Sequence, residues 1–254
     1  MSKFSQFFAS EWQKAQSQER GDITAWSYSR LTKWETCPRS AYYEYVQKRG
    51  TGEKSPAMLR GLAAHAECAA IYEGKPPMPH KDSILSREWR DTLVGQRADW
   101  FPDLEAELQV AYNAEWQRRK WFDKDVVFRC AFDGIAYSDR SSLVIYEHKT
   151  GKVYNTHKDQ AELYACVAHK MNPEANDVVV NIQYLDLPAS RPKTVHSWTA
   201  AELMVGHEGK PLINKWIQKA NAMMADRDFP MRAGPQCRYC QFRGENGGPC
   251  DIWS

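Results

Sequence analysis

Thirteen residues separate Asp133 from the tripeptide Glu147-His148-Lys149. The two carboxylates and the ammonium lie in VVFRCAFDGIAY and SLVIYEHKTGK. Both stretches read as strands, rich in β-branched and aromatic residues with apolar alternation. Alternation puts Glu147 and Lys149 on one face and His148 on the other. An adjacent strand can bring Asp133 onto the face of Glu147. Two carboxylates and an ammonium converging at strand ends are expensive to bury unless they hold a cation. The set suits a divalent ion and hydrolysis of a phosphodiester.

Other elements must position these groups. Residues 157–170 read as an amphipathic helix that starts a few residues after Lys149. Gln160 and Tyr164 are four apart and share one face of it, where they can touch a phosphate or orient the lysine. A second helix is expected over 57–73, closed by Gly74. His65 is a polar residue in its apolar stretch GLAAHAECAAIYEG and can approach a metal from a third direction. Singly each feature is ordinary. An Asp after a strand is a turn residue, a Glu-x-Lys is a surface ion pair, and a lone His on an apolar helix is a core residue. Their order along the chain carries the argument.

The remaining pattern predicts a short helix through Phe4, Phe7, Phe8 and Trp12, then two short helices split at Cys37-Pro38. Residues 86–100 read as a helix. LQVAYNAEWQ, VVFRCAFDGIAY and SLVIYEHK follow as three strands in an antiparallel meander, and VVVNIQYLDL is a further strand beyond the 157–170 helix. Residues 199–226 read as one long helix. This order describes an α/β fold with a central mixed sheet flanked by helices, in which 157–170 is a right-handed parallel crossover. We expect one domain over 1–254, with an N-terminal helical region at 1–56 and a cysteine-rich segment at 227–254.

The 254 residues are enough for a full core, and 43% hydrophobic with 26% charged residues is a globular balance. No run of 18 apolar residues occurs and the N-terminus lacks a signal-peptide core, so no membrane association and a cytoplasmic location are expected. A net charge of +2 neither demands nor excludes nucleic acid, because a basic groove and an acidic metal site nearly cancel. No GxxxxGK[ST], GxGxxG or HExxH is present, so any ATP-driven motor belongs to another chain.

The seven cysteines form no secreted disulfide framework. Cys237-x-x-Cys240, with nine residues between Cys240 and Cys250, has a chelating spacing in a Gly- and Pro-rich tail. A tetrahedral ion or a cubane needs four ligands, and Cys37 in the TCP turn is the best fourth. Zn²⁺ and iron–sulfur both remain open to such a set. Cys68, Cys130 and Cys166 fall in apolar patterns that read as core.

His65, Asp133, Glu147-x-Lys149 and Gln160-x-x-x-Tyr164, in this order, resemble the RecB-type branch of the PD-(D/E)XK nuclease superfamily. The resemblance spans roughly residues 27–250, and it departs in placing glycine just after Asp133 rather than two residues before. It implies a restriction-endonuclease-like core. His65, Asp133, Glu147 and the backbone carbonyl of His148 would hold Mg²⁺ or Mn²⁺. Lys149 would position or help deprotonate the attacking water, with Gln160 and Tyr164 supporting the metal site and the DNA backbone. The distant cysteine plus the C-terminal group resembles the iron–sulfur subset, which includes CRISPR-adaptation and AddB-like nucleases. It implies a [4Fe–4S] cluster on Cys37, Cys237, Cys240 and Cys250 that ties the chain ends together, with Zn²⁺ as the alternative. The implied activity is a metal-dependent DNA exonuclease of phage or bacterial recombination or repair. Its substrate would be single-stranded DNA or duplex ends, with a separate helicase or recombinase as partner. The alternatives are an endonuclease, a CRISPR-type DNA end processor, or a non-catalytic iron–sulfur DNA-binding module.

Overall fold

The computed structural model describes residues 23–49, 54–100, 102–138, 141–191 and 194–251. The helix expected through Phe4 and Trp12 lies outside them. The element order is α1 (Tyr28–Thr36), α2 (Pro38–Ala41), a π-helical turn (Tyr42–Val46), α3 (Pro56–Tyr72), α4 (Arg87–Trp100), β1 (Leu104–Tyr112), β2 (Arg118–Arg119), β3 (Phe128–Tyr137), β4 (Ser142–Lys149), α5 (Thr156–Met171), β5 (Asp177–Tyr184), β6 (Thr194–Thr199), α6 (Ala200–Val205) and α7 (Ile213–Ala225). Two 3₁₀ turns follow, Pro235–Tyr239 and Gly244–Asn246. None of the described helices is long and apolar enough to cross a membrane.

The strand order is β2-β1-β3-β4-β5-β6. β3 pairs antiparallel with β4, β4 parallel with β5, and β5 antiparallel with β6, so the sheet is mixed as expected. The chain falls into two compact units. One comprises Ser55–Gln109 and Cys130–Asn214; the other comprises the residues up to Lys54, Val110–Arg129 and Lys215 onward.

The first of these carries β4 and β5, whose apolar runs LVIY and VVV suit strands covered on both faces. Their parallel register runs from Ser142↔Asp177 to Lys149↔Tyr184. α5 makes the crossover and packs on both strands. On the other face α3 and α4 contribute Ala64, Cys68, Ile71, Tyr72, Trp89 and Leu93 to a core that includes Tyr146 of β4. Helix ends follow local chemistry. The Ser55 hydroxyl accepts from Met58 N at 3.2 Å with Pro56 in the first turn of α3, and Gly74 closes the chain reversal with φ of 81°.

In the other unit Ser27 caps α1, and Cys37 separates α1 from α2 where Pro38 opens the second helix. Trp26 N donates to Val127 O at 2.8 Å, and its ring lies 4.3 Å from that of Phe128. The N-terminal helices meet the C-terminal segment directly. Trp34 Nε1 donates to Asp226 Oδ2 at 2.8 Å, Arg39 N to Pro230 O at 3.3 Å, and Tyr43 OH to Pro249 O at 3.4 Å.

Two local expectations are corrected, and one strand was not expected. The helix over 199–226 is split into α6 and α7. A Cβ on Gly206 would lie 2.3 Å from the Glu202 carbonyl oxygen, Glu208 and Gly209 have positive φ, and Pro211 has no N–H to donate. β6 occupies 194–199, where the polar, half-exposed TVHSWT hides a strand. β1 begins at Leu104, four residues before the apolar run that suggested it.

Candidate active site

β4 places Glu147 and Lys149 against α5. Lys149 Nζ donates to Glu147 Oε1 at 2.6 Å and to Gln160 Oε1 at 2.8 Å. Gln160 Nε2 donates to the same Glu147 oxygen at 2.7 Å and to Tyr164 OH at 3.0 Å. The Tyr164 ring is fixed edge-on against Phe132 at 5.2 Å. Four of the expected residues therefore close one hydrogen-bonded net. Glu147 is buried, at 4% exposure, and its carboxyl is pushed up to about 7 by burial and then by the nearby Asp133 charge, against the pull of Lys149. Burial also raises the Tyr164 phenol well above its ordinary range.

Asp133 is placed differently from expectation. The β3–β4 register ends at Gly134↔Tyr146. Phe132 meets Tyr164 of α5, whereas a Cβ on Gly134 would lie 2.7 Å from the ring of Tyr72 on α3. Residues two apart on a regular strand share a face. These two face opposite helices, so the alternation breaks at Asp133. The break turns its carboxylate to the α3 side, where Oδ1 meets His65 Nδ1 at 3.0 Å and Oδ2 accepts from the His148 backbone N–H at 2.7 Å. It also explains the glycine after Asp133, since any side chain there would strike Tyr72. Burial alone would raise the Asp133 carboxyl, but the His65 hydrogen bond and the His148 and His65 rings hold it below its ordinary value. The same hydrogen bond raises His65 above its ordinary value, against burial.

His148 is fully buried, and burial pushes its imidazole down to about 4. Among the described residues one trio of His, Cys, Asp or Glu brings ligand atoms within 4.8 Å of one another: His65, Asp133 and His148. Two buried atoms of the site have no hydrogen-bond partner, Glu147 Oε2 and His148 Nδ1. A buried carboxylate oxygen and an imidazole nitrogen without donors are what a cation would satisfy, so the donor set fits a divalent ion.

The sequence profile of the PD-(D/E)XK nuclease superfamily matches residues 25–244. The chain belongs to the PD-(D/E)XK nuclease superfamily. Membership makes it a metal-dependent nuclease of DNA, with the mixed sheet and flanking helices of that fold. Among solved structures, SSO0001 is similar at 12% identity and a TM-score of 0.44, covering 95% of each chain. An exonuclease candidate from Eubacterium rectale is similar at 10% identity and a TM-score of 0.41, covering 86% of this chain and 88% of its own. No curated protein matches at a significant level.

Two neighbours of the nuclease site were not legible in the sequence. Tyr72, two turns after His65 on α3, donates its hydroxyl to Gln96 Oε1 at 2.7 Å and lies 3.3 Å from His148 Nε2. Its spacing from His65 was the available signal. Glu107 stands on β1 with φ of 49°, and its carboxyl is raised by burial and by Asp133. A strained strand residue gives no signal in sequence.

The four candidate cluster cysteines all lie in the other unit and are half-buried free thiols. Cys237 and Cys240 bracket a turn in which Cys240 N donates to Cys237 O at 3.2 Å. Cys250 Sγ lies 3.9 Å from Met231 Sδ. They are not drawn together to the close sulfur spacing of a zinc tetrathiolate, in which every thiolate binds one ion. Cys68, Cys130 and Cys166 are buried, as expected of core residues.

Proposed function

We propose that this nuclease is a DNA exonuclease acting on duplex ends or single strands, with Mg²⁺ or Mn²⁺ held by His65, Asp133, Glu147 and the His148 carbonyl. The observation that carries the reading is the net of Glu147, Lys149 and Gln160. It keeps an ammonium beside a buried carboxylate that has one oxygen left for a cation. When bound, the ion supplies Lewis acidity and lowers the pKa of water.

The chain's own residues do the rest. Lys149 has three N–H donors and the net uses two, so the third is free to hold the nucleophilic water or a phosphate oxygen. Gln160 keeps the lysine and the glutamate in register, and Tyr164 anchors Gln160 from the buried side. Before an ion binds, His65 and the His148 N–H fix both oxygens of Asp133. The rim suits a DNA strand. Met58 and Leu62 are exposed on α3 at helical spacing from His65, Gly61 between them approaches Thr150, and Tyr154 is exposed in the loop after Lys149.

For the cysteines we propose a [4Fe–4S] cluster on Cys37, Cys237, Cys240 and Cys250, with Zn²⁺ as the rival occupant. The supporting observation is proximity through the chain. Cys250 touches Met231, and the adjacent Pro230 accepts from Arg39, two residues past Cys37. A phage or bacterial recombination or repair setting in the cytoplasm, with a separate helicase, fits a nuclease without its own ATPase motif.

Mg²⁺- or Mn²⁺-dependent digestion of 5′- and 3′-end-labelled linear DNA beside closed circles tests the reading. Nucleotides released from linear ends with intact circles are expected. Cleaved circles would replace the exonuclease with an endonuclease.

A further inference from the structure

His148 lies between the glutamate and the lysine of the catalytic strand, and the family resemblance assigns it only a backbone carbonyl. Its ring faces the α3 side, 5.5 Å from the Tyr72 ring and 6.1 Å from the His65 ring. The Tyr72 hydroxyl has one proton, and it goes to Gln96 Oε1 at 2.7 Å. With this orientation of the Gln96 amide the hydroxyl accepts toward His148 Nε2, 3.3 Å away, and Nε2 carries the ring proton. That leaves Nδ1 as the bare nitrogen. It is buried, has no hydrogen-bond partner, and stands 3.8 Å from Asp133 Oδ2. The Gln183 amide, across from His148 on β5, interacts with the ring but makes no hydrogen bond of normal geometry to Nδ1.

A bare nitrogen lone pair facing a carboxylate in a dry site is repulsive, and a cation between them removes the repulsion. The ligand atoms of His65, Asp133 and His148 lie within 4.8 Å of one another, with His65 Nδ1 at 3.0 Å and His148 Nδ1 at 3.8 Å from the nearest Asp133 oxygens. Ligand atoms about 2.1 Å from a common octahedral ion are separated by roughly 3.0–4.2 Å. The second nitrogen also has the partner that a metal-bound imidazole needs, since Tyr72 and Gln96 hold the tautomer and the ring plane.

We propose that His148 Nδ1 is a side-chain ligand of the catalytic ion, so that two imidazoles and the Asp133 carboxylate bind it and the site selects Mn²⁺ over Mg²⁺. Imidazole nitrogen favours transition ions, whereas Mg²⁺ favours an all-oxygen shell. The inference rests on the metal-nuclease reading of this site.

The test is pulsed electron paramagnetic resonance on the purified full chain, stripped and reloaded with one equivalent of Mn²⁺, with and without ¹⁵N-histidine labelling. Two directly bound histidine nitrogens are expected in the wild type, falling to one in His148→Leu. One nitrogen in the wild type overturns the proposal and leaves His148 as a positioning residue for Asp133. This wild-type count does not depend on how well a variant folds. Calorimetry of Mn²⁺ and Mg²⁺ binding supplies the selectivity readout. His148→Leu should weaken Mn²⁺ binding about tenfold or more, and Mg²⁺ binding much less. Equal losses for both ions would overturn the selectivity. Two nitrogens on Mn²⁺ in a protein that cleaves no DNA would remove the nuclease reading and keep the ligand. Full cleavage with one nitrogen would do the reverse.

Discussion

The molecule holds two groups of side chains suited to metal, and they are built in opposite ways. The first sits on regular elements: β3, β4, α3 and α5 fix each functional side chain, and direct hydrogen bonds hold Glu147, Lys149, Gln160 and Asp133. The second, with Cys37, Cys237, Cys240 and Cys250, lies in turns and loop, and its thiols are half-buried with no three sulfurs within 4.8 Å of one another. The first has its shape before any ion binds, so an ion adds chemistry. The second has contacts between the chain ends but no closed ligand shell, so an ion or cluster would add structure. Catalytic metal sites are supported by their surroundings, whereas structural ones support the surroundings.

The contrast can be broken experimentally. Asp133→Asn should lower cleavage on the order of 10³-fold while the melting temperature changes little. A large loss of stability with activity kept would mean that the first site is structural. Cys37→Ser and Cys240→Ser should each empty the second site and lower the melting temperature by several degrees, with cleavage per folded molecule retained. The purified protein should absorb near ~400 nm if the occupant is iron–sulfur. Colourless protein with stoichiometric zinc would reject the cluster, and an unaffected Cys37→Ser would remove that residue as a ligand.

Gly134→Ala should cost about 1–3 kcal/mol by forcing a methyl against Tyr72, measured by urea unfolding. A neutral effect would contradict the break in strand alternation at Asp133. The smallest effect is in pH. Glu147 titrates at about 7 in the folded chain against 4.5 ordinarily, so between these values the folded state binds more protons than the unfolded one. Metal-free stability should therefore fall as pH rises from about 4.5 to 7. His65, raised from 6.5, acts in the same direction, because its ion pair is complete below 6.5 and lost as pH rises through its folded value. Glu147→Gln should flatten the slope, and an unchanged slope would place the titration elsewhere.

The part of the fold that carries the site was legible because physics there is local. SLVIYEHK and VVVNIQYLDL are apolar runs of strand length, and Gln160 and Tyr164 share a helix face by spacing alone. The split at Gly206 was hidden because the apolar spacing continues on both sides of a short loop. β6 was hidden because an outer strand needs few apolar residues. Within the site, the net of Glu147, Lys149 and Gln160 follows from strand alternation and helix spacing. The turn of Asp133 toward α3 and the burial of His148 do not, since both depend on where Tyr72 packs across the sheet.

The proposed role of Lys149 is catalysis from a prearranged net. The most direct test compares Mn²⁺-dependent release of nucleotides from linear DNA by the wild type and by Lys149→Ala, alongside DNA binding and melting temperature. A loss of about a hundredfold or more in rate is expected for Lys149→Ala, with binding and folding retained. Cleavage at the wild-type rate by Lys149→Ala would contradict it.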